Sequence, residues 1–380
     1  MRYCAVCDEA ITAENDSGEH IISNAIGGRV KVKGILCFGC NCGAGQTWDA
    51  ALAAQLNPLC LLFGITRERG VPPAQNFPTA DGRLRRMRAD GTSTLPEPVF
   101  KEEKTDAGIS ISVAARTMEE ARRMLAGIKR KYPHADIDKI AENLKFQTKY
   151  DDTPVRMDLS IGGTLGGRSI VKSALCLAVQ AGADPKTCNL ARAYLKGDDS
   201  NRPFGFYYQT SIVLNRAPGV LFHCVAIRGD ARTGLLVGYV EYFSTFRMVV
   251  LLSDRYAGPN IEHSYAVNPL NGEKLPLEFD LSLSRDEIEA TFRYERMPDG
   301  AMAEALGSVM PLAMARSFDH EKSRVVGDAV RYALANSGIK LGEEIRPEHA
   351  ETISRLAVER MIPFITHLSA MRKRQAGPTA

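Results

Sequence analysis

An excess of charge of one sign is missing from this 380-residue chain: 48 Lys and Arg stand against 45 Asp and Glu, for a formal net charge of +3. That balance excludes a protein drawn to polyanions by bulk charge, so any nucleic-acid contact has to come from local clusters. Long apolar runs are missing too. The most apolar stretch, GLLVGYVEYFSTFRMVVLLSD, is interrupted by Glu241 and Arg247 and alternates as strands do, which makes it a poor membrane span. The opening residues, MRYCAVCDEA, have no apolar h-region of a secretory signal, and a cytoplasmic location is expected. Cysteine is too sparse for a disulfide framework. There are nine, an odd number: four form two C-x2-C pairs, while Cys42, Cys60, Cys176, Cys188 and Cys224 are scattered. The pattern suits a reducing compartment and one metal site.

What is present is ordinary globular material, with 44% hydrophobic and 24% charged residues, which excludes bulk disorder. The length exceeds what one core usually organises, so an α+β, multidomain protein is expected. Residues 1–57 read as a compact unit. Residues 58–100 are rich in Pro and Arg and read as a linker or arm. Residues 101–280 read as an α+β domain for recognition or sensing, and 281–380 as a helical C-terminal region. Within the third segment, TMEEARRMLAGIKRKY predicts a helix with Thr117 as N-cap and Glu120 closing a capping box. SIGGTLGGRSIVKSALCLAVQAG predicts a glycine turn into a helix with Ile170, Ala174, Leu177 and Ala178 on one face. The runs FGFYYQTSIVL, VLFHCVAI, LLVGYVEYF and FRMVVLLS predict an antiparallel meander. Helices are expected near 284–293, 301–316, 319–336 and 347–371, with a frayed end at RKRQAGPTA.

The two C-x2-C pairs, Cys4/Cys7 and Cys37/Cys40, are separated by GEHIISNAIGGRV and its flanks. Two such turns close a tetrahedral Zn2+ site, and in so small a segment the metal supplies much of the folding free energy. Four thiolates fill that site, so any chemistry must come from other residues. The candidates are Glu19 and His20 at the centre of the segment, Asn41 directly after the last zinc cysteine, and Asp49 about two helical turns further on. A carboxylate and an amide oxygen suit a hard cation such as Mg2+, and a neutral imidazole beside them suits activation of water.

The arrangement C-x2-C, Glu-His, C-x2-C-Asn, Asp resembles the zinc-bound branch of the HNH endonucleases, the ββα-metal nucleases. EHIISNAIGG is similar to that family's acid-His-x-x-Pro stretch, and CFGCNCGAGQTWDAAL to its second knuckle and helix. The likeness covers about 50 residues. It implies hydrolysis of DNA phosphodiester bonds, with His20 as general base and one Mg2+ or Mn2+ held by Glu19 and Asn41, giving 5′-phosphate and 3′-hydroxyl ends. Two positions depart from the pattern: Ser23 stands where Pro is usual, and Asp49 falls where His or Asn is frequent, with its role open between metal ligand and orienting group. The β-rich stretch is also similar to the segment that succeeds such modules in longer HNH proteins.

The remainder reads more plainly. In RLRRMR, residues 83–88, Arg85, Arg86 and Arg88 are candidates for phosphate contact. GGTLGGRS, with Arg168 and Lys172 nearby, is either a tight turn before a helix or a phosphate cradle. The expected function is a DNA endonuclease, in restriction or antiphage defence, with the C-terminal part binding a DNA feature, a nucleotide signal, a protein regulator or a second copy. The alternatives are a zinc-dependent module that binds nucleic acid without cutting, and a nuclease gated by a nucleotide.

Overall fold

The structure is a computed structural model that describes residues 2–106, 108–134, 136–142, 144, 149–151, 153–340 and 342–375. It is a mixture of helices and antiparallel sheets, and the chain divides into two units: Met1–Pro73 with Asp158–Ser317, and Ala74–Met157 with Phe318–Ala380. Residues 1–57 thus share a unit with residues far along the chain, and 58–100 is divided between the two. The residues at the end of the chain that were expected to fray include 376–380, which lie outside the described residues.

The first unit is built around one helix, Gly163–Gln180. The sequence suggested a single apolar face. Instead nearly every side from Gly166 to Ala178 is buried, as in a helix enclosed by neighbours. Gly166 and Gly167 allow this closeness: a Cβ on Gly167 would lie 2.5 Å from the Phe204 ring and 2.6 Å from the Tyr194 hydroxyl. Gly166 and Gly167 are therefore packing positions of the helix. Its N-terminal backbone is met by Gln55, which donates to the Gly162 carbonyl at 2.9 Å and accepts from its N–H at 3.1 Å.

A five-stranded antiparallel sheet flanks this helix, in the order Phe204–Phe206, Phe246–Ser253, Leu235–Tyr242, His223–Asp230, Ile261–Val267. Both faces are covered. Val225, Ile227, Leu236, Val240 and Val250 join the cluster that includes the central helix; Cys224, Ala226, Val237, Tyr239 and Val249 join a second cluster. This alternation is what the sequence runs displayed. The turn from Tyr242 to Phe246 places Phe243 and Ser244 at φ of 55° and 52°, the left-handed pair that a tight hairpin needs. No glycine supplies it. Phe243 is held there by stacking on Phe63, with ring centroids 5.8 Å apart, and by an edge contact with His223 at 4.5 Å.

In the second unit, Leu84–Met87 is the middle strand of a three-stranded sheet between Gln75–Pro78 and Ser93–Thr94, so this part of the expected arm is ordered structure. A hairpin, Val99–Thr105 with Gly108–Ala114, precedes the helix Met118–Lys131. Thr117 caps that helix as expected, accepting from the Glu120 N–H at 3.1 Å, while Glu120 turns to the Arg116 N–H at 2.8 Å and to its guanidinium. The helices expected at 301–316 and 319–336 are one, Ala301–Asn336, running through Pro311, and the last helix is Pro347–Gln375.

His223 joins the sheet to the N-terminal segment. Its Nε2 donates to the Ile26 carbonyl at 2.8 Å and its Nδ1 accepts from the Phe243 N–H at 2.9 Å, so the ring is neutral. Burial pulls its pKa from 6.5 to about 4. The unfolded chain takes up a proton near 6.5 and the folded one does not, so this contribution is complete above 6.5 and is lost as pH falls through about 4. Between pH 7 and pH 5 the native protein should lose roughly 2 kcal/mol more than a His223→Gln variant, checked by urea unfolding at both pH values.

Candidate active site

The two cysteine pairs come from different local structures. Cys4 and Cys7 bracket a turn closed by Asp8, at φ 63°, after the strand Arg2–Tyr3 pairs with Ala10–Ile11. Cys37 is the N-cap of the helix Phe38–Ala44, and Cys40 lies one turn inside it. The Ala5 N–H donates to the Ile35 carbonyl at 2.9 Å, joining the two turns. All four sulfurs lie within 4.8 Å of one another, with Cys7 and Cys37 Sγ 3.6 Å apart. Tetrahedral Zn2+ with bonds of about 2.3 Å needs sulfurs about 3.8 Å apart, so the cluster fits a structural zinc ion.

Glu19 and His20 form a two-residue strand paired with Lys31–Val32, His20 facing Lys31. Ile21 and Ile22 anchor the following stretch in the core. Ser23, in the place expected of a proline, caps the short turn Asn24–Ile26 by accepting from the Ala25 N–H at 3.3 Å. Gly28 must be glycine, since a Cβ there would lie 1.7 Å from the Ile22 carbonyl oxygen.

Asn41 donates from Nδ2 to Ser17 Oγ at 3.0 Å, which holds the chain just before Glu19. Asp49 is the last residue of a π-helical turn, Gly45–Asp49, in an otherwise α-helical run from Phe38 to Phe63. In a regular α-helix, residues eight apart are offset by about 80°; one extra residue taken up by a wide turn reduces this to about 20°. The π turn thus brings Asn41 and Asp49 towards one face.

The residue that the sequence did not assign is Lys172. It projects from the middle of the central helix, 1% exposed, and its ammonium bonds both Glu19, itself 3% exposed, and Asp49, the latter at 2.6 Å. Asp49 also accepts from Ser169 Oγ at 2.5 Å. Ser173 bonds the Ser169 carbonyl and the Tyr242 hydroxyl, at 3.0 and 3.1 Å. Burial opposes the charge on Lys172, but Asp49 and Glu19 outweigh it and raise its pKa, so the group is an ammonium. The signal for it was a lysine inside the apolar run SIVKSALCLAV.

His20 is arranged differently. Its side chain is 21% exposed, and Nε2 lies 3.5 Å from Glu68 Oε2 and hydrogen-bonds no described residue. Burial, with the charge of Lys31, lowers its pKa, leaving the imidazole neutral at pH 7. Glu68 also pairs with Lys31 at 3.1 Å.

These contacts test the catalytic cation expected at Glu19 and Asn41. Glu19 already binds an ammonium, both Asp49 oxygens are engaged, and a divalent ion beside Lys172 would meet its positive charge. With Lys172 where it stands, the residues do not fit that ion. Arg85, Arg86 and Arg88 belong to the other unit. Arg85 is paired with Asp151 at 2.5 Å, while Arg86, on the opposite side of the strand, is half-buried and Arg88 is exposed.

Residues 4–57 match the HNH endonuclease family. The match takes in all four cysteines together with Glu19, His20, Asn41 and Asp49, and leaves out Lys172 and the sheet. No curated protein and no solved structure matches the chain. Among the described residues, no helix is long and apolar enough to cross a membrane.

The HNH segment does not fold on a core of its own, since its buried residues from Cys4 to Phe63 join one cluster with the central helix and sheet. Replacing Cys37 by Ser should therefore drop zinc content well below one equivalent, by metal analysis. It should also lower the unfolding temperature of the whole unit Met1–Pro73 with Asp158–Ser317, rather than release a detached N-terminal fragment on proteolysis.

Proposed function

We propose that the HNH segment hydrolyses phosphodiester bonds in DNA, with His20 as the general base. The observation that supports this best is His20 itself: a neutral imidazole, fixed by strand pairing in the segment that carries the four-cysteine cluster, with Nε2 hydrogen-bonded to no described residue. In this reading Glu68 swings from His20, and a water takes its place. His20 removes a proton from that water as its oxygen bonds to phosphorus, and the bond to the 3′ oxygen breaks, that oxygen taking a proton from solvent water to leave as a 3′-hydroxyl. Lys31, opposite His20 in the ladder and half exposed, holds the phosphate once Glu68 has moved. No step is assigned to a divalent ion at Glu19, because Lys172 holds that place. The remaining chain supplies recognition or control, through DNA, a nucleotide, a protein regulator or a second copy, and a restriction or defence role would suit such a fusion.

A second reading, a zinc-dependent module that binds nucleic acid without cutting, is favoured by the engagement of Glu19 by Lys172. Plasmid incubated with the protein in Mg2+, Mn2+ or EDTA separates the two. His20→Ala should keep zinc and DNA affinity but lower cleavage by about 10²-fold or more, the scale of a positioned general base. Equal rates for wild type and variant would remove His20 from the mechanism.

Of the basic cluster, Arg86 and Arg88 are proposed as phosphate contacts, and Arg85 is excluded by its bond to Asp151. Replacing Arg86 and Arg88 by Ala should flatten the slope of log affinity against log salt by roughly 2, at about 0.9 per duplex phosphate contact. The Arg85→Ala variant should leave the slope unchanged. Fluorescence anisotropy across a salt series measures both.

A further inference from the structure

We infer that Lys172 is the resident cation of the Glu19–Asp49 centre and excludes a divalent metal from it, so that these carboxylates become a metal site only when the lysine is withdrawn. The inference takes Glu19 as part of the nuclease centre, but it stands on three observations that do not need cleavage to be true. The first is geometry. Two carboxylates from separate parts of the HNH segment, one on a strand and one on a helix, converge on a single ammonium that comes from outside the segment.

The second is burial. Lys172 and Glu19 are nearly inaccessible, so the ammonium is not a surface ion pair that a dissolved cation replaces at little cost. In so dry a setting a cation between two carboxylates stabilises them strongly, since unpaired buried carboxylates are disfavoured. Two cations there would repel each other. Occupancy by Lys172 and by a divalent ion is therefore close to exclusive.

The third is the set of neighbours. Ser169 bonds the same Asp49 carboxylate, and Ser173 ties the helix backbone to Tyr242 on the sheet. The lysine is thus carried on a helix that is fixed from both sides. Its withdrawal needs a movement of that helix or of the HNH segment against it, not a rotamer change alone. A stimulus acting on the central helix or the sheet would in this way set whether the carboxylates can take a metal.

The test reads metal binding, not cleavage. Zinc-loaded full-length protein is titrated with Mn2+ and the free ion is followed by electron paramagnetic resonance. Mn2+ prefers oxygen donors and leaves the thiolate site alone. Wild type should show no Mn2+ site that depends on Glu19. Lys172→Met should unfold at a lower temperature, gain one Mn2+ site at least ~10-fold tighter than any in wild type, and recover thermal stability as Mn2+ is added, because ligands of the native state stabilise it. Lys172→Met/Glu19→Gln should lose that site. If Lys172→Met does not fold, Lys172→Met/Asp49→Asn removes one of the two exposed charges and should bind Mn2+ more tightly than Asp49→Asn alone. A tight Mn2+ site in wild type that Glu19→Gln abolishes would overturn the inference, as would the absence of any gained site in both lysine variants. A protein inactive on DNA leaves each of these readouts unaffected, so failure of the nuclease reading and failure of this one are separate results.

Discussion

Lys172 sits between Glu19 and Asp49 with almost no solvent access, and that contact ties the central helix to the N-terminal segment. Two carboxylates that converge in a low-dielectric interior repel each other unless a positive charge lies between them. The charge has to come from somewhere, and here it comes from a helix that the HNH segment does not contain. This explains why the segment shares a core with residues 163–180 and with the sheet. The helix that carries the ammonium must approach closely, and Gly166, where a Cβ would lie 2.5 Å from Gln55 Oε1, permits the approach.

The zinc site and the ionic centre divide the work of the segment. A zinc ion on the four clustered thiolates would fix the turns at Cys4–Cys7 and at Cys37–Cys40, and through Cys37 the start of the helix that bears Asn41. It would not fix Asp49, which ends the π turn, nor would it orient the Glu19 side chain. Those are positioned by Lys172 and Ser169. His20 depends on neither set directly. Its place comes from pairing with Lys31 and from Ile21 and Ile22, whose burial is shared with the core that His223 helps to close.

Legibility in the sequence tracks the range of the interactions. The cysteine pairs and the helix cap at Thr117 are local patterns, and the structure clusters the four sulfurs and caps the helix as the spacing implied, whereas Glu19 meets Lys172. The strands 223–253 were legible because a sheet covered on both faces leaves short, near-continuous apolar runs bounded by turn residues. Lys172 was not assigned because its partners lie more than a hundred residues away, and a lone lysine in a helix ordinarily points to water. Arg85 was read as free to reach out for the same reason: Asp151, which holds it, is distant in sequence. The break expected between 316 and 319 rested on local composition, and the helix runs across it.

The distance along the chain between the two sides of the ionic centre has a consequence for biosynthesis. Asp49 leaves the ribosome 123 residues ahead of Lys172. At about 5–20 residues per second, that interval lasts roughly 6–25 s. During it the four cysteines are already available and can close on zinc, while Glu19 and Asp49 have no internal counter-charge. The nascent segment therefore passes through a stage in which its carboxylates face water or dissolved cations. The dry, lysine-paired centre of the finished protein is formed only after the central helix has emerged, so the two carboxylates are synthesised well before the cation that pairs them.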